Sequence, residues 1–265
     1  MSVPSFDVKG LNFAVTGGSK GLGWEVAQQL ARRGSAFVLV IGGRSESPFG
    51  SESAQVAGCE MKYVKSDLLT NEGLVAICAV LREHFADKPL HGLANVAGLT
   101  FPRATMQETT PESWDKMMAV NCRAPVFLMR EAASLMRNQG SQGSIVNVTS
   151  VAGYCGAPFI FSYSAAKAAL NCATKTAAIE LRPSNIRVNA VAMGWTLTDN
   201  ENASQSAINP NWLAQADASH PFGRILRPVD LAATIGHLLS PAAVMITGTI
   251  VDVCPEYISG ELLVR

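Results

Sequence analysis

The chain has 265 residues, 48% of them hydrophobic and 16% charged, which is enough to bury a large core in one α/β domain. Its 21 basic and 21 acidic side chains cancel, leaving no electrostatic footprint for nucleic acid or an anionic membrane. The opening MSVPSFDVKG lacks the basic-then-apolar pattern of a signal peptide and no apolar run reaches the roughly eighteen residues of a membrane span, so a soluble, cytoplasmic protein is expected.

From the first residues, short apolar runs alternate with longer amphipathic segments, the rhythm of a parallel sheet covered by helices. Residues 11–16 and 36–41 read as buried strands, with a helix over 22–33 between them that stops at Gly34. Further strands are expected at 61–64, 92–94, 144–148, 186–191 and 249–253, about seven in all. Helices fill the gaps, among them 111–118, 125–138, 163–180 and 228–239. Nothing resembles a linker, so residues 1–265 form a single doubly wound α/β domain. Residues 195–221, rich in Asn, Ser and Ala with Trp195 and Trp212 nearby, break the rhythm and read as a lid or substrate loop. Six scattered cysteines without CxxC or Cys/His clustering are expected to be reduced core thiols, and no metal site is visible.

Between the first strand and first helix stands TGGSKGLG, residues 16–23. Glycines at 17, 21 and 23 let the backbone turn sharply and approach a pyrophosphate, while the amides and dipole of a helix N-terminus favour its charge. A dinucleotide is the natural ligand, although the spacing is not GxGxxG and a tight turn with close helix-strand packing is the structural alternative. After the second strand, where an acid grips the adenosine ribose in NAD proteins, the chain has Gly42, Gly43 and Arg44. Arg44, helped by Lys20, suits the 2′-phosphate of NADP, and Glu46 keeps NAD open.

Tyr163 and Lys167, in SYSAAKAAL, are four residues apart and share one face of a helix. A free phenol has a pKa of about 10, and a neighbouring ammonium favours the phenolate. The pair is therefore a candidate acid/base device.

With these segments in order, the chain resembles a classical short-chain dehydrogenase/reductase over nearly its full length, and the resemblance implies a Rossmann-like fold. TGGSKGLG is similar to that family's TGxxxGxG, which implies cofactor contacts from Thr16, Gly17, Ser19, Lys20, Gly21, Leu22 and Gly23. Asp67, followed by Leu68, resembles the acid that meets the adenine ring, and Asn95-Val96-Ala97-Gly98 resembles the NNAG turn. Asn121 in AVNCRAP, Ser150 in IVNVTSVAG, Tyr163 and Lys167 resemble the Asn-Ser-Tyr-Lys tetrad. The resemblance implies Tyr163 as base in oxidation and acid in reduction, with Lys167 lowering its pKa and binding the nicotinamide ribose. Ser150 is implied as the hydrogen-bond donor to the substrate oxygen, and Asn121 as support for a water chain. Structural alternatives exist for each: Ser150 as a turn cap, Asn121 in a helix break and Asp67 as an N-cap.

Two segments depart from the family pattern. Met193 replaces the proline of its PG turn, while Gly194, Thr196 and Thr198 remain to meet the nicotinamide. Near the end, Val253 and Cys254 stand where the family has a glycine pair. The tail EYISGELLVR is more apolar than a solvated terminus needs, the resemblance implies that this end packs at a subunit interface, and a homotetramer is expected. Candidate substrate contacts are Ser150, Val151, Ala152, Tyr154, Phe159, Met193, Trp195 and Trp212. These aromatic and apolar walls, with Asn200, Asn202 and Gln205 for hydroxyls, suit a small polyol, sugar or cyclic hydroxy compound. No basic patch on the lid invites an acyl-carrier protein. The expected function is NADP-preferring interconversion of a secondary alcohol and a ketone. A non-catalytic dinucleotide sensor or scaffold and a 3-oxoacyl-type reductase are the alternatives.

Overall fold

The computed structural model describes residues 5–43 and 45–256. The first apolar run forms β1 (Asn12–Thr16), which the glycine turn joins to α1 (Gly21–Arg32). β2 (Phe37–Gly42) pairs in parallel with β1, Asn12 opposite Phe37. Both strands are buried at every residue, and strands covered on both faces read as continuous apolar runs.

The next connection is not a helix. β3 (Ser53–Val56) and β4 (Cys59–Lys65) form an antiparallel hairpin, and β4 lies parallel to β2. Ala57 and Gly58 both have positive φ, 52° and 82°, the mirror-image turn whose twist matches paired strands. β3 is an eighth strand beyond the seven of the sequence pattern, because SAQV has only half-buried and exposed positions and hence little apolar signal.

α2 (Asn71–His84) begins where the Thr70 hydroxyl accepts from Gly73 N, and it leads to β5 (Gly92–Asn95). α3 (Pro111–Met118) opens with a reciprocal Thr110/Ser113 capping box, passes through a π turn at Ala119–Arg123 and continues as α4 (Ala124–Asn138). β6 (Gly143–Ser150), α5 (Ala152–Cys155), α6 (Phe161–Leu181) and β7 (Ile186–Met193) follow. The lid region is more regular than a loop: it holds α7 (Asp199–Ser206) and α8 (Trp212–Ser219) before α9 (Pro228–Leu239) and β8 (Ile250–Val253).

The sheet order is β3-β4-β2-β1-β5-β6-β7-β8, parallel apart from β3. On one face Val26 and Leu30 of α1 pack with Leu231 and Ile235 of α9; on the other, α2, α4 and α6 bring Ile77, Leu128 and Leu170 together. Each such side chain contributes roughly 1.5–3 kcal/mol by leaving water. The chain runs outward from β1 in one direction and from β5 in the other, so these two strands flank a switch point where ligands bind in open α/β sheets. Cys59, Cys78 and Cys254 are buried, whereas Cys122 and Cys155 are partly so and Cys172 is exposed, which limits the core-thiol expectation to three of the six.

Candidate active site

A cleft of about 380 Å³ opens at the carboxyl ends of β1 and β5, with Tyr163 and Lys167 on its wall. Gly17, Ser19, Lys20, Gly21, Leu22 and Gly23 form one side. Gly17 has φ +67°, and a Cβ there would come within 2.8 Å of Ala97 N. A Cβ at Gly23 would stand 2.3 Å from the Gly17 carbonyl. The turn, α1 and the loop after β5 are thus in backbone contact, which only glycine allows. α1 also differs from α2, α3 and α7, whose Thr70, Thr110 and Thr198 hydroxyls cap their first turns: Lys20 at its N-cap supplies no side-chain hydrogen bond, and its first turn has no acid. Its leading N–H groups therefore remain available to an anion in the cleft.

Lys167 projects from α6 and is buried, its Nζ donating to the Val148 carbonyl at 2.8 Å and standing 5.6 Å from the Tyr163 ring centroid. Tyr163 packs in an apolar cluster with Met117 and Ala152. Burial pushes the Tyr163 phenol up to about 12, against an opposing hydrogen-bonding influence of Ser150. Burial likewise lowers Lys167 to about 8. The expectation that Lys167 lowers the phenol is therefore corrected: desolvation dominates at both groups and favours their neutral forms. The Ser150 hydroxyl donates to Met193 O at 3.3 Å and accepts from Ala152 N at 3.2 Å. Asn121 lies in the π turn, fully buried, where its Oδ1 accepts from Leu99 N (3.1 Å) and its Nδ2 donates to Leu99 O (2.8 Å) and Met117 O (3.1 Å). A Cβ at Gly98 would sit 3.3 Å from Asn121 Oδ1 and 3.9 Å from Lys167 Nζ, so both side chains converge on that glycine.

Asp67, Leu68, Ala97, Gly98, Met193 and Thr198 also line the cleft. Other expected contacts lie elsewhere. The Thr16 hydroxyl accepts from Val96 N and Ala97 N (3.0 and 3.1 Å), tying the end of β1 to the loop after β5. Asn95 is turned into the sheet, donating to Asn147 Oδ1 at 2.9 Å, because parallel register sets the two asparagines opposite each other. Gly194 backs onto Cys254, and the buried Thr196 donates its hydroxyl to Gly194 O at 3.0 Å. Trp212 is a core residue of the lid, packed with Ala216 and Ile225. Its Nε1 meets Asn202 Oδ1 at 3.2 Å and Ser206 Oγ at 3.1 Å. Trp195 packs against it, ring centroids 5.9 Å apart and planes tilted by 40°, and donates to Glu201 Oε1 at 2.9 Å. Val151 is buried against Ala192 and Cys254, while Tyr154 and Phe159 are exposed. Glu46 pairs with Lys65. Arg44 and the tail beyond Glu256 lie outside the described residues.

Sequence reasoning missed Glu201 and its partner Arg103, which are 98 residues apart and carry no local motif. It also missed Lys20 Nζ donating to Asn200 Oδ1 at 3.3 Å, which joins the glycine turn to the lid. The one available signal was the acid three residues after Thr198, a helix-start pattern.

The comparisons with known proteins agree with this geometry. A family model described as enoyl-(acyl carrier protein) reductase matches residues 17–254. Over 244 residues the chain is 32% identical to cis-4-hydroxycyclohexanecarboxylate dehydrogenase of Sinomonas cyclohexanicum, covering 92% of this chain and 94% of that protein. The structure of L-sorbose reductase from Gluconobacter frateurii, in complex with NADPH and L-sorbose, superposes with TM-score 0.85 at 25% identity over 97% of this chain and 99% of the other. A 3-oxoacyl (acyl-carrier-protein) reductase from Agrobacterium tumefaciens C58 with NADP bound gives TM-score 0.84 at 25% identity, covering 95% and 96%. With the uncapped glycine turn, the Tyr163–Lys167 wall and matches over almost the whole length of each protein, the chain belongs to the short-chain dehydrogenase/reductase family.

Proposed function

We propose that the protein is an NAD(P)-dependent oxidoreductase that interconverts a secondary alcohol and a ketone, with NADP ahead of NAD. The observation that carries this reading is Tyr163, a phenol buried beside Lys167 at a cleft whose opposite wall is an uncapped, glycine-lined helix N-terminus. The residues fit a dinucleotide: close backbone contact at Gly17 and Gly23 leaves room for phosphate, with Asp67 and Leu68 at the adenine side and Lys167 toward the ribose. Lys20 and Arg44 are the cations that favour NADP. When bound, the nicotinamide supplies or accepts the hydride.

The chain's own residues handle the proton and the oxygen. A phenol pushed up to about 12 holds its proton at neutral pH, the form that gives a proton to a ketone oxygen. In the oxidative direction the phenol first passes its own proton to solvent, and the phenolate Oη then receives the proton of the alcohol. The Ser150 hydroxyl exchanges its 3.3 Å bond to Met193 O for the substrate oxygen, stabilising charge as it develops there. Lys167, held by its hydrogen bond to Val148 O, stands beside the phenol. The Asn121 side chain is spent on Leu99 and Met117, so its support of a proton path comes from the main chain of the π turn.

A small polyol, sugar or cyclic hydroxy compound is the substrate class we favour, supported by the sugar- and hydroxyacid-acting relatives and by partly polar walls. The 3-oxoacyl reductase relative supports the second reading, reduction of an acyl thioester. We also place the protein in the cytoplasm; among the described residues no helix is long and apolar enough to cross a membrane. The test is the nicotinamide absorbance change with NADP and NAD against sugars, polyols, cyclic alcohols, ketones and a 3-oxoacyl thioester. Turnover on one class, lowered about 1,000-fold or more by Tyr163→Phe while NADP still binds, is expected. NADP binding without turnover on any class moves the assignment to a sensor.

A further inference from the structure

Three loops leave the carboxyl ends of β5, β6 and β7, and two of them reach the cleft, one through Leu99 and Thr100 and the other through Thr198, Asp199 and Asn200. Residues 99–110, 151–160 and 194–209 contain one cationic side chain between them, Arg103. It touches all three loops. Its Nη2 donates to Glu201 Oε2, and its guanidinium lies 5.0 Å from the Phe101 ring centroid and 5.9 Å from that of Phe159. Glu201 is itself held from two more directions, accepting at Oε1 from Trp195 Nε1 and Gln205 Nε2, each at 2.9 Å.

The asymmetry of this pair is informative. The Glu201 side chain is 10% exposed and the Arg103 side chain 32%. A pair serving only as a latch between loop and lid would be expected to enclose both partners equally. Here the carboxylate is sunk among donors, while the guanidinium stays half open and is bonded through a single Nη among the described residues. Its other N–H groups form a planar fork with the geometry of a carboxylate acceptor. The aromatic rings hold that plane in place and displace water around it, which strengthens a contact made there. Asp199 and Glu201 stand on the lid near by, so a doubly charged phosphate meets more repulsion than a singly charged carboxylate.

We propose that Arg103 is a specificity-determining residue that reads a carboxylate on the substrate, remote from the reacting carbon, so that the substrate class is hydroxy or oxo acids. Glu201 is the positioning residue that ties the guanidinium to the lid, next to Asp199 and Asn200 of the cleft wall. The proposal rests on the dehydrogenase reading of the cleft, and its test separates the two.

The kinetic arm compares 3- and 4-hydroxycyclohexanecarboxylates with their carboxamides in the NADP-loaded wild type, Arg103→Gln, Arg103→Lys and the distant surface control Arg137→Gln. The acid is expected to exceed the amide by about tenfold or more in kcat/KM, carried in KM, with the ratio near one in Arg103→Gln, intermediate in Arg103→Lys and unchanged in the control. A wild type that does not discriminate, or a ratio that survives both Arg103 variants, overturns the proposal. Arg103→Lys keeps the charge but loses the fork, and carries the comparison if Arg103→Gln does not fold. The second arm needs no turnover: calorimetry of cyclohexanecarboxylate into NADP-loaded protein should give a Kd about tenfold weaker in the Arg103 variants. Binding through Arg103 with no alcohol oxidised sinks the dehydrogenase reading and leaves the arginine site standing. Absence of carboxylate binding to wild type sinks the arginine site whatever the turnover.

Discussion

At the scale of residues, the protonation of the Tyr163–Lys167 pair follows from where α6 places it. Four-residue spacing was enough to set both side chains on one helix face, and that much was legible. The direction in which the phenol moves was not, because desolvation depends on Met117, Ala152 and the other residues that close around it in three dimensions. Lys167 supplies the accompanying stability prediction. Its folded pKa, lowered from 10.5 to about 8, means that between those values the unfolded chain binds the extra proton, so stability rises with pH through that window. From about pH 7.5 to about pH 9.5 the wild type should gain roughly 2 kcal/mol relative to Lys167→Met in chemical denaturation. Parallel pH profiles for the two proteins refute the assignment of a buried, depressed lysine. The raised Tyr163 value acts in the opposite sense only above about pH 10 and leaves this window untouched.

At the scale of elements, α1 shows how a missing cap makes a binding surface. α2, α3 and α7 begin with a threonine that satisfies the first turn, and α1 begins instead with Lys20 and a glycine turn pressed against its own backbone. Gly23→Ala puts a Cβ on the Gly17 carbonyl and pushes the helix off the turn. It should weaken NADP binding at least about tenfold, read by fluorescence titration, and cost about 1–3 kcal/mol of stability by overpacking. Unchanged NADP affinity removes the glycine turn from the cofactor site. The edge strand β3 and the lid helices α7 and α8 are elements the sequence did not disclose. β3 has too little apolar contrast, and α7 and α8 are short polar helices whose order comes from Trp195, Trp212 and Ile225 packing together. For the same reason Trp212 was open to two readings, since an aromatic in a polar stretch serves equally well as a pocket wall or as the lid's own core, and the structure packs it in the latter.

At the scale of the whole molecule, the sheet order brings chain segments more than a hundred residues apart to one cleft, and leaves α4 and α6 with apolar outer positions. Ile179 is 62% exposed, and Phe127 and Phe161 stand out on the same two helices. The homotetramer expected from the family resemblance would cover exposed apolar faces of this kind. Light scattering should return about four times the 28.0 kDa chain mass, and Ile179→Glu should lower it. A monomer in the wild type ends that reading.

Much of the fold and the outline of the site could be read from the residues in order. Strands buried on both faces are continuous apolar runs, helices keep their period, and a glycine turn or a Tyr-Lys pair is a short-range pattern that survives without coordinates. Thr16 and Asn95 were expected as cofactor contacts and not as struts, because their partners, Ala97 and Asn147, lie 81 and 52 residues away. The pairing of Arg103 with Glu201, 98 residues apart, was not legible, although Glu201 stands at a helix-start position after Thr198. Residue type and spacing carry local conformation; burial, pKa direction and pairing across loops depend on which distant side chains exclude water from a group, and only the folded sheet brings those side chains together.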